Sequence, residues 1–133
     1  MPAQGRKNVH GKTGVRFKAG YTKSKYENML RNVVTDLVLH GHVKVTKATS
    51  VDVVKEAAKL ITLTKKEDVM NAKRRAAAFL RNVKDEKGVS ALDKLFNEIG
   101  PKMKDRQGGY TRTLRLENRR GDDAPIVMVM WTE

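Results

Sequence analysis

The sequence has 133 residues, enough for one domain that buries a real core, and it contains no cysteine. The lack of cysteine excludes a disulfide framework, a thiolate nucleophile and a cysteine-based zinc site. The formal net charge is +13, which predicts a polyanionic partner, most commonly nucleic acid, with a membrane surface as the weaker alternative.

Residues 1–23 are rich in Gly, Lys and Arg and carry only scattered apolar residues. Such a segment cannot form a core alone, so it is predicted to be a basic arm that orders along a phosphate backbone when bound. A tail that serves only solubility is the alternative. The candidate RNA-binding residues in the arm and just after it are Arg6, Lys7, Lys12, Arg16, Lys18, Lys23 and Lys25.

Residues 24–133 are predicted to form one globular domain. Its first helix starts at a capping box made by Ser24 and Glu27 and stops near Gly41, where left-handed backbone is easily adopted. A short strand is predicted over residues 43–46, because polar and apolar residues alternate there.

Three further helices follow this strand. Thr46 is predicted to cap the second helix, which extends to about Thr64. The third helix is predicted to bury one face made of Val69, Ala72, Ala76, Phe79, Leu80 and Val83. Arg74 and Arg75 lie on its basic side and are candidate phosphate contacts, although such runs are often only solvated faces. A short fourth helix begins at Ser90 and is stopped by Gly100-Pro101.

Residues 106–131 are predicted to form a hairpin with a basic loop. Residues 110–117 alternate with a period of two, and residues 126–131 form a second apolar, β-prone run. The expected core face of the first strand consists of Tyr110, Arg112, Leu114 and Leu116. The candidate RNA-binding residues of the hairpin are Arg106, Tyr110, Arg112, Arg119 and Arg120. A solvated hairpin whose arginines only maintain solubility is the alternative.

The order of these elements predicts an α+β fold. It lacks the regular strand and helix alternation of a parallel doubly wound sheet. We expect a small three-stranded sheet with about four amphipathic helices over one face, preceded by the basic arm. The sequence pattern leaves the order of the strands in the sheet open.

Two pairs of residues raise the hypothesis of a metal-dependent nuclease. They are His40 and His42, which flank a glycine, and the adjacent Asp122 and Asp123. Histidines at a helix end more often interact with the last carbonyls, and Asp after Gly in a turn more often bonds local backbone. No Ser-His-Asp set, phosphate-binding loop or H-E-x-x-H motif accompanies them. No catalytic residue, metal site or cofactor is therefore predicted.

Several short blocks occur in a characteristic order between about Leu30 and Val129. They are Leu60-Ile61-Thr62-Leu63, Arg74-Arg75-Ala76, the run from Lys94 to Pro101, Gly108-Gly109-Tyr110-Thr111-Arg112, and Arg119 with Gly121-Asp122, Ala124 and Pro125. Together they resemble the family of bacterial-type large-subunit ribosomal protein number seventeen. The resemblance implies an α+β domain, bound to large-subunit ribosomal RNA near the outer end of the peptide exit tunnel, without catalysis. The ending at Trp131 departs from the family's usual short aliphatic one.

The predicted function is that of a structural constituent of the large ribosomal subunit. The arm and the hairpin are expected to bind 23S-type ribosomal RNA, and neighbouring large-subunit proteins are the other expected partners. No small-molecule substrate is expected, nor a membrane, because no apolar run approaches roughly twenty residues. The expected location is the cytoplasm, with an organellar ribosome left open. A DNA-binding or nucleoid-like protein is the alternative, although neither a recognition helix nor a dimer seam is evident.

Overall fold

The computed structural model describes residues 23–132 of the chain. Its elements are α1 (Lys23–His40), β1 (His42–Thr46), α2 (Lys47–Thr64), α3 (Val69–Phe79), α4 (Ala91–Lys94), a π-helical turn (Leu95–Ile99), α5 (Gly100–Met103), β2 (Thr111–Arg115) and β3 (Ile126–Trp131). The strands form one antiparallel sheet in the order β1-β3-β2. The predicted α+β fold with a small three-stranded sheet is confirmed.

The core lies between the helices and one face of this sheet. Its largest fully buried side chains are Leu37, Ile61, Leu95, Val34, Val38, Val53 and Val129. Each aliphatic side chain of this size contributes about 1.5–3 kcal/mol when it leaves water. Trp131 continues the helix-facing side of β3, and its indole Nε1 donates a hydrogen bond to the Leu37 carbonyl at 3.1 Å. The tryptophan thus joins the end of β3 to α1.

Strand β2 presents the opposite face from the one predicted. Thr113 pairs with the buried Val129, and directly paired residues share a face of the sheet. Arg112 and Leu114 therefore lie on the face that the helices leave open, and Leu114 is 39% exposed. The predicted core face is therefore wrong for these two residues of β2, which is an edge strand at the rim of the core, whereas Tyr110, just before the strand, packs against the core as predicted.

Helix α1 begins at Lys23, so Ser24 lies inside the helix and the predicted capping box is wrong. The carboxylate of Glu27 instead lies 3.9 Å from the ammonium of Lys23, one turn earlier. The cap of α2 is confirmed in position at Thr46. Its hydroxyl, however, donates to the hydroxyl of Thr49 at 2.9 Å and makes no side-chain bond to the helix backbone.

Helix α3 ends at Phe79, earlier than the apolar pattern predicted. Side chains of α1 bind backbone groups at the end of α3 that would otherwise be free to extend the helix. Arg31 donates a hydrogen bond to the Phe79 carbonyl at 2.7 Å, and the Thr35 hydroxyl accepts one from the backbone N–H of Arg81 at 3.1 Å. Val69 and Val83 are 50% and 46% exposed, so the predicted buried face is narrower than expected.

The predicted stop at Gly100-Pro101 lies within a helical segment that continues to Met103. Pro101 has no N–H to donate four residues back, and its ring crowds the carbonyl there. The turn widens instead, so that the Gly100 N–H donates to the Leu95 carbonyl five residues back. A Cβ on Gly100 would lie 3.1 Å from Cβ of Thr64, which shows how closely this segment packs on the end of α2.

Candidate nucleic-acid interface

Cationic side chains, all of them exposed except the half-buried Lys65, are grouped where α2 ends and α3 begins. We call this group the α2-end surface, and it consists of Lys65, Lys66, Arg74, Arg75 and Lys104. Lys66 lines two neighbouring depressions, one shared with Arg74 and Arg75 and the other with Lys65 and Lys104. The fold therefore brings cations from α3 and from the segment after α5 together at one helix end.

Asp68 is the single carboxylate among the described residues that line these two depressions. Its side chain caps α3 by accepting from the backbone N–H of Asn71 at 3.3 Å. The acid thus serves the helix end, where carboxylates are favoured, and leaves the cations of the α2-end surface in excess.

Lys65 and Tyr110 connect α2 to the loop before β2. The ammonium of Lys65 donates to the Tyr110 hydroxyl at 2.8 Å and also to the backbone carbonyl of Arg106. The hydrogen bond from Lys65, with a smaller contribution from a hydrogen bond to the backbone of Gly108, lowers the pKa of the Tyr110 hydroxyl. The hydroxyl of this predicted RNA-binding tyrosine is therefore used inside the protein, to fix the loop.

The two predicted arginines of the hairpin loop, residues 116–125, differ in their contacts. Arg119 binds the Asp122 carboxylate through two hydrogen bonds, from Nε at 3.1 Å and from Nη2 at 2.5 Å. These bonds, and the backbone N–H of Ala124, hold the pKa of the Asp122 carboxyl at about 2. Arg120 is exposed and makes no hydrogen bond or ion pair with residues 23–132. Arg119 is thus engaged within the loop, whereas the guanidinium of Arg120 is exposed to solvent.

Replacing Arg119 by Gln is expected to raise the pKa of Asp122 from about 2 toward its usual 3.8. Because the folded-state pKa is depressed, the ion pair stabilises the loop above about pH 4, and this contribution is lost as the pH falls through about 2. Carboxyl-carbon NMR titration measures the shift. Arg120→Gln is the matched control and should leave this pKa near 2; an unmoved pKa in Arg119→Gln would show that the ion pair is absent.

Arg112 lies on the open sheet face, which we define as His42, Lys44, Arg112, Leu114, Met128 and Met130. Arg112 of β2 pairs with Met130 of β3, and Met130 pairs on its other flank with His42 of β1. The predicted hairpin arginines therefore occupy three places. Arg106 lies in the loop before β2, Arg112 lies on this face, and the other two lie in the hairpin loop before β3.

The residues of the nuclease hypothesis are not brought together. His42 pairs with Met130 near the end of β3, whereas Asp122 and Asp123 lie in the loop that precedes the other end of that strand. His40 shares a depression with His42 and Asp36, yet no group of three or more His, Asp or Glu side chains within residues 23–132 could hold a metal ion.

The remaining predicted residues have simple placements. Lys23 and Lys25 are exposed in the first turn of α1. The predicted contacts that lie outside the described residues are Arg6, Lys7, Lys12, Arg16 and Lys18. The sequence interpretation missed Lys65 and Lys66, although a basic pair directly after a helix, where the dipole favours cations, was a detectable signal.

These features define a small, strongly basic α+β domain in which one group of cations lies together at the end of α2. Within residues 23–132, no helix is both long and apolar enough to cross a membrane. A family model described as ribosomal protein L17 matches residues 29–132. The chain therefore belongs to the ribosomal protein L17 family, and the resemblance predicted from its short blocks is confirmed.

Its relatives include large ribosomal subunit protein bL17 from three bacteria. The Enterococcus faecalis protein is 45% identical over 120 residues, and the Limosilactobacillus reuteri protein is 44% identical over 120 residues. The Shouchella clausii protein is 43% identical over 114 residues. In each case the match covers 84% of this chain and 94% of the relative. The similarity thus covers nearly the whole length of each of these relatives.

Proposed function

We propose that this chain is a structural protein of the large subunit of a bacterial-type ribosome, where it binds large-subunit ribosomal RNA. The observation that carries the proposal is the α2-end surface, a group of mostly exposed cations on a chain of the ribosomal protein L17 family. The names of its bacterial relatives support the assignment to the large subunit. Neighbouring ribosomal proteins are the other proposed partners, and the cytoplasm is the proposed location.

The protein acts by holding cations in fixed positions. Folded RNA is recognised mainly through its shape, its backbone and its unpaired bases, because the major groove of an A-form helix is too narrow for side chains. Arg74 and Arg75 project from a helix that α2 and α4 hold in place, so no backbone entropy is lost when they contact phosphate. Arg120 supplies a second contact from the hairpin loop, in a position that the Arg119–Asp122 ion pair fixes.

The N-terminal arm is proposed to add further phosphate contacts. Five predicted contact residues of the arm precede the described part of the chain: Arg6, Lys7, Lys12, Arg16 and Lys18. Each phosphate that such a residue neutralises releases condensed counterions, which favours binding at low salt. The arm and the α2-end surface would together neutralise phosphates over a wider area than either could alone.

A chain that starts at Lys23 is expected to fold with a melting temperature close to that of the full chain, because the described core extends from Tyr26 to Val129. Its incorporation into large subunits should fall, since phosphate contacts are lost. Sedimentation of cell lysates, with detection of a C-terminal tag in the large-subunit fraction, measures incorporation, and thermal unfolding measures stability.

The matched control is a full-length chain in which the five basic residues before Lys23 are replaced by glutamine. It should be incorporated as poorly as the truncated chain, because charge and not length is proposed to matter. Aggregation or early melting of the truncated chain would instead make the arm part of the folded domain. Undiminished incorporation of both variants would remove the arm from the interface.

A further inference from the structure

A groove lies between the end of α2 and the π-helical turn. It has a volume of about 520 Å³, within the range of roughly 300–1,000 Å³ that small-ligand pockets occupy. Its lining residues are Thr64, Lys65, Lys66, Phe96, Gly100, Pro101 and Lys104. Three ammonium groups therefore surround it, and no Asp or Glu within residues 23–132 contributes to the lining. Such a groove favours an anionic occupant.

Phe96 gives this cationic groove an aromatic wall. The residue lies in the π-helical turn, where the wider backbone ring is caused by Pro101, and such turns occur frequently at functional sites. Its ring is half-buried and remains accessible from the groove. The ammonium of Lys73 lies 5.7 Å from the ring centroid and adds a fourth cation beside the groove.

The groove is held in shape by contacts that do not need a ligand. Gly100 packs tightly against Thr64, since a Cβ added to Gly100 would lie 3.1 Å from Cβ of Thr64, and this contact holds the two walls together. Lys65 is oriented by its hydrogen bonds to Tyr110 and to the Arg106 carbonyl. Lys66 and Lys104 are exposed and can reach an anion at the rim.

We propose that the groove binds one unpaired nucleotide of RNA, with its base stacked on Phe96 and its phosphate contacted by Lys66 and Lys104. Both faces of a paired base are covered by its neighbours in the helix, so only a splayed-out nucleotide can stack on a protein ring. This inference rests on the proposed function and deepens it. It distinguishes one site, which reads an unpaired base, from the arginine contacts, which read backbone alone.

The test compares two RNA hairpins that share one stem. One carries a single bulged 2-aminopurine nucleotide, and the other has the same nucleotide paired. The full chain is expected to bind the bulged hairpin roughly 5- to 150-fold more tightly, the range that stacking of one base on an aromatic ring provides. Binding should also change the fluorescence of the bulged 2-aminopurine, because moving the base from the RNA stack onto Phe96 changes its environment.

Phe96→Leu should reduce the affinity ratio of the two hairpins to about one, whereas Phe96→Tyr should retain the preference because it keeps an aromatic ring. Phe79→Leu is the matched control, since Phe79 does not line the groove, and it should also retain the preference. The fluorescence change in the wild-type complex provides a readout that does not depend on any variant folding.

Equal affinity of the wild-type chain for the two hairpins would overturn the proposal, as would an unchanged probe fluorescence or a preference that survives in folded Phe96→Leu. In these outcomes binding of both hairpins would leave the proposed RNA-binding function standing. Binding of neither hairpin at low salt would contradict the proposed function as well.

Discussion

Raising the salt concentration from about 50 to about 200 mM is expected to weaken binding of this chain to a large-subunit ribosomal RNA fragment by roughly 10³- to 10⁵-fold. This range applies if the arm, the α2-end surface and the hairpin loop together neutralise about six to ten phosphates. Each neutralised phosphate releases condensed counterions, and added salt reduces the entropy gained by that release. The slope should be somewhat shallower for single-stranded RNA.

The measurement is a titration of labelled RNA at several salt concentrations, with a metal chelator present throughout. A protein that bound one phosphate through a metal ion would show a shallow salt dependence and would lose binding when the chelator is added. A flat slope, or binding that disappears with chelator, would therefore contradict phosphate neutralisation as the basis of binding.

Replacing Lys66, Arg74 and Arg75 together by Ala is expected to reduce RNA affinity roughly 100- to 500-fold at about 0.1 M salt. The estimate assumes one phosphate for each side chain and a salt slope of about 0.7 to 0.9 for each phosphate. The slope itself should decrease by about two to three. Circular dichroism and the melting temperature should change little, because all three side chains are exposed and exposed charges contribute little to stability.

A triple variant of Lys55, Lys84 and Lys87 is the matched control. These residues are also exposed, and their replacement by Ala removes the same charge from places outside the α2-end surface. The control should lose much less affinity, since charges more than about 10 Å from a phosphate are largely screened at this salt concentration. Equal losses in the two triple variants would mean that net charge, and not a localised surface, governs binding.

The helices were predictable because their signals are local. Apolar spacing and the position of Thr46 placed α2 correctly up to Thr64. The end of α3 was not predictable, because it depends on Arg31 and Thr35 of α1, which lie 46 to 48 residues away in the sequence. Alternation identified β2 as a strand, whereas its inward face depends on its place at the edge of the sheet, which only long-range pairing decides.

The candidate site was predictable in residue type and less so in arrangement. Arg74 and Arg75 were identified from helical charge, whereas their grouping with Lys66 depends on how α3 packs against the end of α2. The sequence could not distinguish Arg119 from Arg120, because a single ion pair to Asp122 decides which of the two is engaged within the loop. Short blocks of sequence carried the family resemblance because they hold both core and surface residues in a fixed order.

Photo-crosslinking in living cells, followed by sequencing of the RNA bound to the tagged chain, tests most directly whether the protein binds large-subunit ribosomal RNA. The chain is expected to crosslink at a few defined places in that RNA, far above its crosslinking to the comparably abundant small-subunit RNA. Crosslinked peptides should include Lys66 or Arg74. Crosslinks spread over small-subunit and messenger RNA in proportion to their abundance, or recovered mainly with DNA, would contradict the account.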